Sequence, residues 1–273
     1  MLARERWIAM QAAREASLLL QPNSVGAIRA RVREGKIPWA GPLLLLVTRP
    51  VMWMAAQSTV ALLFLARHVL HPWHQACYWW SVCFTSADIV CLLAMRYFTR
   101  RERVRLRDLA GPIRMRHGHD VLLGLGFYLV AAVFFGAGGY FSQRLFYGSQ
   151  QNPADFILHA HALPLWAVIY SLAIMWVVNA ATEETTYQGY VLPRLEALTG
   201  HTWIAVCMVG FFFTLQHCAL GFVPDFRSIL CRFFGFLPGC VIVALLYVRT
   251  RRLAPLIVAH WLMDLGAVVM TTF

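Results

Sequence analysis

Three short stretches of this chain carry ionisable side chains among residues that are otherwise almost all apolar. Ala180 to Tyr190 contains the adjacent carboxylates Glu183 and Glu184. Phe211 to His217 ends an aromatic-rich run on an imidazole, and Ala259 to Asp264 holds His260 and Asp264 four residues apart. A carboxylate near the centre of a bilayer costs roughly 3 kcal/mol on insertion scales, so it marks a pathway, a relay or a catalytic site. Adjacent residues on a helix point about 100° apart, so Glu183 and Glu184 share a cavity only near its wall. His260 and Asp264, at i and i+4, lie on one helix face. A carboxylate and an imidazole can hold and deprotonate a water while donors opposite stabilise the oxyanion. The same residue types bind a divalent metal such as zinc, and Glu183, His217 and His260 are then the candidate ligands. Spacing does not separate these two chemistries. Each stretch also has a plainer reading: an acidic helix end in the headgroup layer, a packing histidine, and a hydrogen-bonded pair joining two helices. The conjunction of all three favours chemistry.

The elements that must position these residues are membrane helices. Hydrophobic residues make up 59% of the 273 positions and charged ones only 14%, with a mean hydropathy of +0.58. Water cannot be the main solvent of such side chains. Seven apolar segments stand out, at roughly 43–65, 77–97, 121–141, 163–182, 203–217, 229–248 and 254–272. They predict an all-α, polytopic bundle of about seven transmembrane helices. Glu183 and Glu184 then fall at the cytoplasmic end of the fourth. Residues 1–40 read as a basic N-terminal extension and 41–273 as one transmembrane domain. Within the extension, Ala3–Leu20 has the spacing of a helix lying on the membrane surface. No secretory signal is evident, because the first long apolar run starts only near Gly41.

The net charge of +11 is carried almost entirely by arginine, Lys36 being the only lysine. Eight basic residues fall in 1–49, eight in 96–120, one at Arg194 and three in 249–252, all on alternate loops. Arg67, Arg144, Arg227 and Arg232 fall on the other side. The positive-inside rule then places the N-terminus in the cytoplasm and the C-terminus outside. Charge placed this way orients an inserted protein against anionic lipid, and nucleic acid is not expected as a partner. Seven cysteines form no CxxC pair and read as small buried apolar residues.

In order, the three stretches resemble the motifs of the CPBP family, the CAAX prenyl endopeptidases and bacteriocin-processing membrane proteases. The family pattern is Glu-Glu-x-x-x-Arg, then Phe-x-x-x-His, then His-x-x-x-Asn/Asp. Here it reads Glu183-Glu184 to Gln188, Phe213 to His217, and His260 to Asp264. The flanking run Gly189 to Leu195 and the approaches Gly239 to Tyr247 and Leu253 to His260 also resemble the family, so the likeness covers about 165–273. The resemblance implies an intramembrane endopeptidase of a multi-pass cell membrane. Its Glu183 would be the general base on a catalytic water, aided by His217. His260 and Asp264 would polarise the scissile carbonyl or hold the oxyanion, with Glu184 supporting. The cofactor is then none, or a divalent metal such as zinc. Implied substrates are membrane-bound or exported peptides and proteins: prenylated C-termini, leader peptides or sorting-tagged proteins. Arginine dominance fits a bacterial plasma membrane, which weakens the prenyl option. The chain departs from the pattern at Gln188, where the family has arginine. An i, i+4 contact between Glu184 and Gln188 is expected, with Glu184 either neutral or met by another cation such as Arg194 or Arg232. The alternatives are a catalytically inactive relative that binds a peptide or confers immunity, and a transporter. Transporters often show inverted repeats, whereas the polar spans here cluster in the C-terminal half.

Overall fold

The computed structural model describes residues 21–111, 117–150, 152 and 163–272, and the surface helix expected at 3–20 lies outside them. The described residues form helices and no strand. In chain order they are α1 (Val25–Arg33), α2 (Ala40–Ala66), α3 (Pro72–Cys77), α4 (Trp80–Arg101), α5 (His117–Tyr147), α6 (Leu165–Thr199), α7 (Thr202–Ala219), α8 (Phe226–Thr250) and α9 (Ala254–Thr272). A 3-10 turn, Leu106–Ala110, follows α4. Helices α2, α4, α5, α6, α7 and α8 are long and apolar enough to cross a membrane, while Ala254–Met270 of α9 is apolar but shorter. At 1.5 Å per residue, the 27 residues of α2 reach about 40 Å, enough to span a core of about 30 Å with tilt.

The bundle is built outside-in relative to a soluble protein. Leu62, Leu122, Leu129, Val133 and Leu145 are exposed on α2 and α5. Arg49, Asp88, Asn179, Glu183, Glu184 and Gln216 are buried. Lipid tails solvate the former, and only the protein interior offers partners to the latter. Small residues let α5 and α8 approach closely, since a Cβ at Gly138 would collide with the Gly235 carbonyl and one at Gly239 with the Phe135 ring.

Two differences from the sequence reading bear on the site. The fourth span does not end near residue 182. Helix α6 runs 35 residues, from Leu165 to Thr199, and carries Glu183 and Glu184 in its middle. Two wide π turns, Ser171–Met175 and Thr185–Val191, interrupt its α geometry. The polar run Thr182 to Gln188 looked like a helix end because its side chains are hydrophilic, but they are buried against other helices or, at Thr185, half-buried. The basic-residue count also changes. Arg49 and Arg194, taken as loop charges, sit inside helices with no exposed surface. The remaining bias keeps its sign.

Candidate active site

Helix α6 brings Glu183 and Glu184 to the end of an α segment, Trp176–Glu184, directly before its second π turn. A π turn inserts a residue into the helical register and is frequent at functional sites. Threonine hydroxyls support the widened backbone: Thr185 donates to the Ala181 carbonyl at 2.6 Å and Thr186 to the Thr182 carbonyl at 2.7 Å. Both glutamates are 1% exposed, so their partners decide whether they can be charged at all.

Glu183 is held from two sides. Its Oε2 accepts from Arg49 Nη2 of α2 at 2.8 Å, and its Oε1 accepts from Gln216 Nε2 of α7 at 2.6 Å. Arg49 also donates to Asp88 of α4 (2.6 Å), Asn179 of α6 (2.7 Å) and Gln216 Oε1 (2.9 Å). One guanidinium therefore joins four helices. Tyr187 completes the group by donating to Gln216 Oε1 at 3.3 Å.

The second layer centres on His260 of α9. Its Nδ1 is hydrogen-bonded to Glu184 Oε1 at 2.8 Å. Its Nε2 lies 3.8 Å from Glu183 Oε1 and 3.4 Å from Asp264 Oδ1. Asn179 Nδ2 donates to Asp264 Oδ2 at 2.9 Å, fixing that carboxylate against α6. The imidazole is thus oriented by three carboxylates from two helices.

His217 of α7 donates from Nδ1 to the Phe213 carbonyl at 2.7 Å. A carbonyl only accepts, so Nδ1 carries a proton, and the neutral ring presents Nε2 as an acceptor. The ring stacks on Phe236, with centroids 4.4 Å apart and planes 20° apart, which fixes its orientation. The Phe213 ring neighbours both imidazoles, its centroid 5.5 Å from His217 and 6.3 Å from His260.

All five residues singled out by the sequence, Glu183, Glu184, His217, His260 and Asp264, line one cavity of about 790 Å³. Its other walls are largely aromatic and apolar, including Phe84, Tyr128, Phe135, Phe236 and Met263. A concave, mostly apolar chamber with a few convergent polar groups is the usual form of a binding site.

The sequence reading missed Arg49, Asp88, Asn179 and Gln216. Two other expectations fail here. Glu184 and Gln188 do not meet, because the π turn between them breaks the i, i+4 register. Gln188 is fully buried, and neither atom of its amide has a hydrogen-bond partner. Neither expected cation reaches Glu184. Arg194 is bound to Glu102 at 2.6 Å, and Arg232 donates to the carbonyls of His217 and Leu220. The nearby arginine is Arg49, and it serves Glu183.

A divalent ion on Glu183 would face the Arg49 guanidinium on the same carboxylate, a like-charge contact in a low-dielectric site. Among the described residues, no three His, Cys, Asp or Glu side chains are grouped to hold a metal. As the side chains stand, Glu183, His217 and His260 form no such group.

No curated protein and no solved structure matches the chain. Residues 164–266, which contain all five cavity residues, match the family described as Type II CAAX prenyl endopeptidase Rce1-like, the protease family to which the three motifs pointed.

Proposed function

We propose that the chain is an intramembrane endopeptidase that hydrolyses a peptide bond of a membrane-associated or exported substrate by glutamate- and histidine-assisted water activation. The observation that carries this reading is the convergence of Glu183, Glu184, His217, His260 and Asp264 from three helices onto one apolar-walled cavity.

In this reading, a water bound between Glu183 and His217 Nε2 attacks the scissile carbonyl carbon. Glu183 takes the water proton as the C–O bond forms. His260 Nε2 faces the carbonyl oxygen and donates to the oxyanion, held in register by Glu184 at Nδ1 and by Asp264. Asn179 holds Asp264 at Oδ2, which leaves Oδ1 turned towards His260 Nε2 and gives Asp264 the part of orienting that ring. Glu183 then returns the proton to the amide nitrogen. The C–N bond breaks, leaving a new carboxyl terminus and a new amine.

The test compares membrane proteomes of cells lacking the chain, cells complemented with wild type, and cells complemented with Glu183→Gln. One or more proteins should accumulate uncleaved in both the deletion and the Glu183→Gln cells. Unchanged profiles in both would favour a peptide-binding, non-catalytic relative. Elemental analysis of the purified active protein belongs to the same test. Activity without a stoichiometric metal is expected, whereas one zinc per chain with reversible loss on chelation would overturn the side-chain mechanism.

A further inference from the structure

The family pattern asks for an arginine at position 188, and this chain has glutamine there. The structure holds a buried arginine at the candidate base all the same, contributed by a different helix. Arg49 lies on α2, outside the matched residues 164–266, and has no exposed surface. It donates from all three guanidinium nitrogens to four acceptors: Gln216, Asp88, Asn179 and Glu183.

We propose that Arg49 is the positioning residue of the catalytic centre, supplying from α2 the permanent charge and donor fork that hold Glu183 in place. The inference rests on the protease reading above only for the consequence in turnover; the pairing itself is tested separately.

Three features of the geometry point this way. First, Glu183 Oε2 is fixed by the guanidinium and Oε1 by Gln216, and Gln216 is itself anchored by Arg49 Nε. The carboxylate plane is therefore set by one cation through two routes. Second, Asn179 takes one bond from Arg49 and gives one to Asp264. This links the base to the carboxylate beside His260. Third, an arginine fork can satisfy several acceptors at fixed angles, while lysine is a point charge on a flexible stem. Orientation of several groups at once needs the fork and not only the charge. Asp88 and Glu183 present two carboxylates, His260 and Asp264 lie beyond Glu183, and the Phe84 ring sits 5.6 Å from the guanidinium carbon.

Two measurements test the proposal. The first is a double-mutant cycle on thermal unfolding of the purified protein, using Arg49→Gln, Glu183→Gln and the pair. Arg49→Gln should destabilise wild type strongly and the Glu183→Gln protein clearly less, because one of the two stranded carboxylates has been neutralised. Additive effects would show that the two side chains do not act on each other and would overturn the pairing. The second uses Arg49→Lys, which keeps the charge and loses the fork. The readout is the set of cleaved membrane proteins that the Glu183→Gln cells leave intact. Arg49→Lys should be inserted at wild-type level with cleavage slowed at least ten-fold, the loss lying in turnover and not in substrate affinity. Wild-type cleavage by an inserted Arg49→Lys protein would assign Arg49 to charge balance alone and overturn its positioning role. If the Glu183→Gln cells lose no cleavage, the protease reading fails by itself, and the unfolding cycle still decides whether Arg49 holds Glu183.

Discussion

Glu183→Gln should lower cleavage by about 10²- to 10⁴-fold in a protein that still inserts and folds, the usual loss on removal of a general base. Glutamine has nearly the shape of glutamate and can still accept from Arg49 through its carbonyl oxygen. Its amide nitrogen cannot take a proton from water. That nitrogen would also face the Gln216 donor that now contacts Glu183 Oε1 at 2.6 Å, so Gln216 must turn its amide. Some loss of stability is expected for this reason, and unfolding must be measured alongside the rate. His217→Ala should fall in the same range, since it removes the second acceptor for the water. Because the two residues act on one water, the double variant should be little worse than either single one. Kinetics on a substrate identified from the membrane proteome give the answer. The informative comparison is with Glu184→Gln. Glu184 has one oxygen on His260 Nδ1 and one buried oxygen without a hydrogen-bond partner. If Glu184→Gln abolishes turnover while folded Glu183→Gln keeps wild-type rates, the roles of the two glutamates are exchanged and the Arg49 cluster is structural.

The residues of this site were legible to very different degrees. Glu183, Glu184, His217, His260 and Asp264 stood out because each breaks an apolar run, and because three polar stretches in one half of the chain suggest a common destination. Arg49 and Asp88 break apolar runs in the same way. Each does so alone, and the carboxylates that explain Arg49 lie 39 and 134 positions away. Arg49 was further disguised by lying near the first cluster of basic residues, where a membrane protein is expected to carry orienting charge. Asn179 and Gln216 are neutral amides and barely disturb hydropathy, so nothing local marked them. The helical character and approximate number of spans followed from segment length and composition, which the bilayer constrains directly. The course of α6 did not. Its polar middle reads as an end unless the cavity that receives it is known. Its π turn Thr185–Val191 has no residue that forbids ordinary α geometry. The expected Glu184–Gln188 contact failed for that reason: a periodicity argument holds only while the period does.

Arg194→Ala should destabilise the protein by about 3–5 kcal/mol, on the scale of breaking a buried ion pair, and lower its unfolding temperature by roughly 10 °C or more. Arg194 lies near the end of α6 and has no exposed surface. Its Nε meets both oxygens of Glu102 at 3.0 and 3.1 Å, and its Nη2 meets Glu102 Oε2 at 2.6 Å. Glu102 directly follows α4 and is 2% exposed. Tyr190 donates its hydroxyl to the same carboxylate at 2.8 Å, and the guanidinium carbon lies 4.0 Å from the Tyr190 ring centroid. Arg194 Nη1 reaches the Asn23 side chain at 2.9 Å, and Asn23 Nδ2 donates to the Leu109 and Gly189 carbonyls at 3.3 and 3.0 Å. This one cluster therefore ties the segment before α1, the end of α4, the turn after it and the last part of α6. Alanine at 194 would leave the buried Glu102 carboxylate with the Tyr190 hydroxyl as its one hydrogen-bond donor among the described residues and Arg31 as a more distant charge, and a poorly compensated buried charge is what makes such a break costly. The cost should be largely recovered in Glu102→Leu/Arg194→Met, which removes both charges and keeps side-chain volume, because well-packed apolar pairs often equal the ion pairs they replace. Unfolding of the purified variants in detergent measures both. If Arg194→Ala melts within 2 °C of wild type, the pair is not buried as described. If the apolar double variant is no more stable than Arg194→Ala, the cluster stabilises by geometry, through Asn23 and the two carbonyls, and not by balancing a buried charge.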